Sequence, residues 1–464
     1  MRKGVWMPLM LAAGQLAGQQ HAGAAALSLQ EAIGLALAQN TDLAITQRGE
    51  DTARAKLAQA KAERRASVDL STGVTAQKTE SETMSSGIGT NGISASRNIY
   101  DGGKRKNAVE SSEIDVKTAN LATERKREET RYNVIKAYYD ALEARHTIDV
   151  RQETVDKYAA HLENVRQLFS AGSKARIEVV RSEVELSNAR QELIRAQNSY
   201  EVDLATIRSL MNINRDEALT LTDDVAYLPF KTGLRDCIDY AFQNRKDLQA
   251  DAYALEQKEI AIRTARAGYA PDVQVSVGSD LWKPTFQPHW DGHYDANMQA
   301  GISATWNIFD GGATKAKVEE AKVARDIAKL QLAKDQEDVD LALRQAYFNM
   351  REAEKRLDAT KDAVHQAEED NFVAYEAYRV GEGILLDVID TQDALATAKL
   401  NHLSAQYDYA RYKAEVENIM GIPLNEEERQ AAGLASEPAD AGEAAKRSAA
   451  AEWTAGEAIE EAAE

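Results

Sequence analysis

The sequence predicts a mainly α-helical protein made of two copies of one unit, each a pair of long antiparallel helices that carries two β-strands. Three observations predict it. The stretch Gly92-Ile93-Ser94-Ala95-Ser96-Arg97-Asn98-Ile99-Tyr100-Asp101-Gly102-Gly103 recurs as Gly301-Ile302-Ser303-Ala304-Thr305-Trp306-Asn307-Ile308-Phe309-Asp310-Gly311-Gly312. After each copy the chain runs without proline or glycine through a long helical pattern, residues 104–169 and 313–380. Each run then meets a glycine turn and a returning helix with apolar residues spaced by seven. A repeat of about 200 residues is too long for a solenoid, so the duplication is of one large unit.

The chain has 464 residues, seven prolines and a net charge of −19. Few prolines with abundant Ala, Glu, Lys and Leu favour long helices. The acidic balance argues against nucleic acid as a partner. Residues 1–26 read as a signal peptide: Arg2 and Lys3, an apolar stretch from Val5 to Ala13, then small residues at Ala22-Gly23-Ala24 and Ala24-Ala25-Ala26. No cysteine lies near this junction to carry a lipid. The single Cys237 aligns with Ala32 of the first repeat, which marks it as a buried small residue.

Repeat 1 spans 27–213. Leu29 to Leu43 is amphipathic, with Ile33, Ala36 and Leu37 on one face, and helix resumes from Ala53 to Arg65. Strands follow near 67–80 and 88–100. In the first, Val68, Leu70 and Val74 alternate with Asp69, Ser71 and Gly73. Asp101-Gly102-Gly103 ends the second strand, with Asp101 as cap of the next helix. That helix, at about 1.5 Å per residue, is a rod of roughly 100 Å. Val155, Tyr158, Leu162, Val165 and Phe169 give it a 3,4-spaced seam. After Ala171-Gly172-Ser173, Val179, Leu186, Leu193, Tyr200 and Ile207 return in sevens.

Residues 214–233 form a linker with Pro229. Repeat 2 spans 234–424, with strands near 272–282 and 296–309 and the turn Asp310-Gly311-Gly312. The loop between its strands holds Trp282, Pro284, Phe286, Pro288, Trp290 and Tyr294, a set suited to a membrane–water interface. Its returning helix carries Val388, Leu395, His402, Tyr409 and Val416. The acidic stretch 425–464 is too poor in apolar residues to build a core.

One chain supplies four strands. A four-stranded sheet in lipid leaves unpaired edges, each group costing several kcal/mol, so the chain must oligomerise into a closed barrel. Two chains give eight strands, whose interior side chains would fill it; three give twelve and leave a pore. The expectation is a trimeric transmembrane β-barrel above a helical barrel.

The two-repeat layout, the paired Asn-Ile-aromatic-Asp-Gly-Gly motifs and the paired Tyr/Phe-x-x-Gly turns resemble the TolC-type outer-membrane efflux and export channels. The resemblance covers nearly all of residues 27–424. It implies a homotrimer with a twelve-stranded β-barrel in outer-membrane lipid and an α-helical barrel in the periplasm. It also implies a periplasmic adaptor and an inner-membrane ABC or RND pump as partners. It further implies a gate at the helical tip: Asp387 and Asp390 match the gate aspartates, Tyr378 the latch tyrosine, and Glu178 the first-repeat position that pairs with it. The latch arginine, two residues after the glycine, is Gly383 here; Arg379 is the substitute expected.

The residues support the gate independently. Asp387 and Asp390 are three apart and share a helix face. Threefold symmetry would gather six carboxylates, which titrate together and attract cations. No nucleophile–base motif, metal-ligand spacing or phosphate-binding loop is present, so no enzyme, metal or cofactor is expected. His289 and His293 lie in a proline- and glycine-bearing loop, and Gly102-Gly103-Lys104 lacks the spacing of a phosphate cradle. The expected function is an exit duct for protein (type I secretion) or small molecules. The missing lipid-anchor cysteine favours secretion. A multidrug efflux channel without protein export is the alternative within this class, and a structural coiled-coil surface protein the alternative outside it.

Overall fold

The computed structural model describes residues 25–77, 86–215, 218–223, 227–284 and 295–422. The expected leader up to residue 24, the aromatic loop positions Phe286, Pro288, Trp290 and Tyr294, and the acidic tail lie outside the described residues.

The first repeat runs β1 (Ala25–Leu27), α1 (Leu29–Gln39), α2 (Thr41–Ala62), β2 (Ser67–Gln77), β3 (Ser86–Tyr100), α3 (Lys104–Ser170) and α4 (Arg176–Met211). After β4 (Leu219–Leu221), the second gives α5 (Leu234–Asn244), α6 (Lys246–Arg266), β5 (Asp272–Pro284), β6 (Asp295–Thr305), α7 (Ala313–Val380) and α8 (Leu385–Met420). The long helices α3 and α7 have 67 and 68 residues, about 100 Å each. Each is flanked along its length by two shorter helices, α2 and α4 beside α3, α6 and α8 beside α7. Among the described residues no helix is long and apolar enough to cross a membrane.

A capping box opens α1: the Ser28 hydroxyl accepts from the Glu31 amide, and the Glu31 carboxylate accepts from the Ser28 amide. The expected helix Leu29–Leu43 is broken at Asn40, and the second helix starts at Thr41 rather than Ala53. Asn40 is extended, at φ −61° and ψ 126°, and its side chain caps α2 at the Leu43 amide. Its Nδ2 also donates to the Leu210 carbonyl at the end of α4. Arg245 occupies the same place in repeat 2, at φ −60° and ψ 127°, and donates to the Ile419 carbonyl at the end of α8. Each kink thus satisfies a carbonyl that the helix end leaves open.

The four long strands form one antiparallel sheet in the order β2-β3-β5-β6. Register places Leu70 opposite Ile93, Ala95 opposite Val277, and Val275 opposite Ile302. On the other face lie Asp69 with Ser94, Ser94 with Gly278, and Gly278 with Gln299. One face is therefore apolar and the other polar and small. No helix covers the apolar face: Leu70 is 80% exposed and Ile302 74%. Strand β6 stops at Thr305, short of the expected 309. Its partner β5 begins opposite, at Asp272, so residues 306–309 have no ladder to join. Trp306 instead donates its indole N–H to the Tyr269 carbonyl.

Both strand-to-helix turns have one construction. Gly102 and Gly103 have φ 69° and 95°, Gly311 and Gly312 φ 65° and 93°, the left-handed region that disfavours a side chain. Asp101 accepts from the Gly103 and Arg105 amides at 2.9 and 3.0 Å, and Asp310 from the Gly312 and Thr314 amides at 2.9 and 2.6 Å. The aspartates cap from two residues before the glycine that directly precedes each helix.

Three apolar cores hold the rods. One gathers Leu27, Ala32, Tyr138, Ile207 and Met211; its counterpart in repeat 2 gathers Cys237, Leu343, Met350, Val416 and Met420. Cys237 is fully buried where repeat 1 has Ala32, and burial pushes its thiol up to about 11. The linker takes part in both: β4 pairs in parallel with β1, and the Phe230 amide donates to the Tyr409 hydroxyl. The third core joins the two repeats at the far end of the rods.

Candidate functional site: the helical tip

The tip is made by two turns, α3 to α4 and α7 to α8. Gly172 and Gly381 reverse the chain at φ 76° and 86°. Beneath them Val155, Tyr158, Leu162 and Val165 of α3 meet Leu186 of α4, Tyr378 of α7 and Leu385, Val388 and Ile389 of α8. The expected seam of α3 is thus buried up to Val165, while Phe169 at its end is exposed.

Tyr378 ties the repeats together. Its ring is 2% exposed and its hydroxyl donates to Glu178 Oε2 at 3.0 Å. Burial, then the Glu178 carboxylate, raises the phenol's pKa, so it stays protonated and donating. Lys174, in the α3–α4 turn, sits 4.1 Å from the ring centroid and 3.6 Å from Glu178 Oε2. His161 of α3 packs against the same ring, ring centroids 5.4 Å apart. Both ring nitrogens of His161 are buried without a hydrogen-bond partner among the described residues.

Arg379 binds Glu376 of its own helix at 2.6 Å and is largely exposed. The cation on Tyr378 is Lys174, which spacing in the second repeat could not reveal; its i,i+4 relation to Glu178 was the available signal. Gly383 also has a local reason. Its amide donates to the Ala377 carbonyl at 2.9 Å, and an added Cβ would lie 2.8 Å from the Tyr378 nitrogen. Any side chain there would force the turn to shift.

Asp387 and Asp390 lie on the exposed side of α8, opposite the buried Val388 and Ile389. Neither carboxylate has a partner among the described residues. Asp393 continues the same side one turn on and accepts from the Tyr158 hydroxyl at 2.7 Å. That pair was missed in the sequence because its members are 235 positions apart. Among the described residues no group of His, Cys, Asp and Glu can hold a metal.

An antiparallel sheet with a bare apolar face, set on rods of about 100 Å that end in an acidic tip, defines a membrane-anchored tube-wall protein. The chain matches the outer membrane efflux protein family over residues 32–212 and 237–422, and it belongs to that family. The two matched segments are the two helical repeats without the linker. The chain is 23% identical to the outer membrane efflux protein BepC of Brucella suis biovar 1 (strain 1330) over 403 residues, 86% of this chain and 87% of that one. It is 20% identical to the outer membrane protein TolC of Escherichia coli (strain K12) over 308 residues, 64% of this chain and 62% of that one. The fold superposes on the crystal structure of CusC with a TM-score of 0.74 and 15% identity, covering 90% of this chain and 98% of that one. The protein is an outer-membrane efflux channel of the TolC family, not an enzyme.

Proposed function

We propose that this chain is one third of the outer-membrane exit duct of a tripartite export system. Three copies close a twelve-stranded barrel in outer-membrane lipid, and their helices continue as a cylinder through the periplasm. A periplasmic adaptor and an inner-membrane ABC or RND pump deliver the cargo, protein or small molecules, to its tip. The observation that carries this reading is the sheet. Its outer strands β2 and β6 have unpaired edges, and its apolar face is bare over all four strands. In lipid both edges need partners, and only further copies supply them.

Asp387 and Asp390 form the gate. On three copies they make a ring of six carboxylates that admits cations and is blocked by multivalent ones. In planar bilayers the protein gives cation-selective openings that a trivalent cation, added from the tip side, blocks. Asp387→Asn with Asp390→Asn weakens that block by about tenfold or more, ~1.4 kcal/mol. Undiminished block in the double variant would remove the gate assignment.

A further inference from the structure

His161 is the buried titratable group at the tip that the gate above does not use. It is 5% exposed, and neither ring nitrogen has a partner among the described residues. It lies against the Tyr378 ring, where α3 and α7 meet. An imidazole placed this way has no hydrogen bond to hold its orientation. A core residue needed only to fill space has no reason to carry two polar atoms, each costing free energy when buried bare.

We propose that His161 is the proton sensor of the tip latch: its protonation in acid loosens the Tyr378–Glu178 contact and opens the tip. The proposal rests on the tip being the gate. The groups facing His161 decide the direction. From α4, Glu178 attracts its proton; from the turn before it, Lys174 repels it. From α7, the Tyr378 ring packs on it, with its hydroxyl already committed to Glu178. On α3 the preceding turn brings Tyr158, whose hydroxyl is committed to Asp393 of α8. Lys157, Glu153, Glu368 and Lys399 share the adjoining cavity, where Lys399 binds Glu153 at 3.0 Å and Glu368 at 3.7 Å. Glu178 is the anion that draws a proton towards His161, and it also accepts from Tyr378 and pairs with Lys174.

Burial outweighs Glu178 and holds the imidazole's affinity for protons below its ordinary value of 6.5 in the closed tip. Once the tip opens and the ring is hydrated, that ordinary value returns. The closed form therefore keeps its full advantage above about pH 6.5 and loses it as pH falls through that value. The loss stops growing below the depressed closed-state value. A proton on His161 also competes with Tyr378 for Glu178, which weakens the latch bond directly.

The test is hydrogen exchange of the two tip turns, residues 171–175 and 380–385, in the full-length protein at about pH 7.5 and about pH 5.5, corrected for intrinsic exchange. Exchange rises several-fold at the lower pH in the wild type and stays flat in His161→Phe, which keeps an aromatic ring on Tyr378 but cannot take a proton. His161→Leu guards against a folding effect of the phenylalanine, and imidazole NMR of the wild type reads the proton directly. Equal acid response in both variants, or no response in the wild type, overturns the proposal. Bilayer current at the same two pH values separates the two readings. An exchange response without any current sinks the gate reading, and with it the opening of a conduit, while the proton-driven loosening of the Tyr378–Glu178 contact stands. Current that responds to the Asp387/Asp390 change but not to His161 sinks the sensor alone.

Discussion

The two repeats share a plan but not an environment. In repeat 1, Ile114 is 2% exposed on α3, a helix that α2, α6 and α8 pack against within the chain. Its counterpart in repeat 2, Val323 on α7, is 51% exposed. Tyr139 is half-buried against Tyr407, whereas its counterpart Phe348 is 59% exposed. The turn glycines differ in the same way: Gly102 lies tight against Ala267 and Ala270, while Gly311 has open space around it. Helix α3 is flanked on both sides inside one chain, by its own repeat and by α6 and α8. Among the described residues, helix α7 is flanked along its length only by its own repeat and meets repeat 1 at the tip, through Tyr378. Repeated sequence with unrepeated burial is what an open segment of a ring looks like. On this reading, the missing cover for α7 is the first repeat of another copy.

The comparison can be broken at its largest point. Phe348→Asp places a charge on the open face of α7, costing several kcal/mol per copy if that face is buried in an assembly. We expect it to abolish the oligomer in detergent, as read by native mass, while leaving helicity intact. An unchanged oligomer would mean that another copy does not cover α7. Next in size is the pair Ile114→Ala and Val323→Ala. The first removes buried apolar volume within one chain and lowers its stability by about 2–5 kcal/mol. The second leaves the isolated chain within about 0.5 kcal/mol and lowers only the assembled form. Urea midpoints at several protein concentrations distinguish them. Smallest is the turn pair. Gly311→Ala incurs the left-handed backbone cost of about 1–2 kcal/mol. Gly102→Ala incurs that and a collision with Ala270, so its loss in thermal unfolding is the greater.

What was legible in the sequence follows from how local each cause is. The Asp-Gly-Gly turns could be read because two left-handed residues in a row require glycine, and the aspartate caps its own helix. Strand faces could be read because alternation is a property of neighbouring residues, as with Val68, Leu70 and Val74. The break at Asn40 had a local signal, a side chain that caps the next helix; Arg245, with no such chemistry, gave none. At the tip, Glu178 and Tyr378 were brought together by resemblance and meet in the structure at 3.0 Å. Lys174 is four residues from Glu178 but reaches the Tyr378 ring, like His161, only through packing between elements distant in sequence. The resemblance placed the latch arginine at position 383, where this chain has glycine, because a family pattern fixes positions and not the route by which another side chain reaches the same ring.

The native mass of the detergent-solubilised protein reports whether this chain is one third of a closed duct. Three chains per particle are expected, the number that turns four strands into a twelve-stranded barrel with an open lumen. A stable monomer, with both sheet edges unpaired, or a dimer, whose eight strands would fill their own interior, would contradict it.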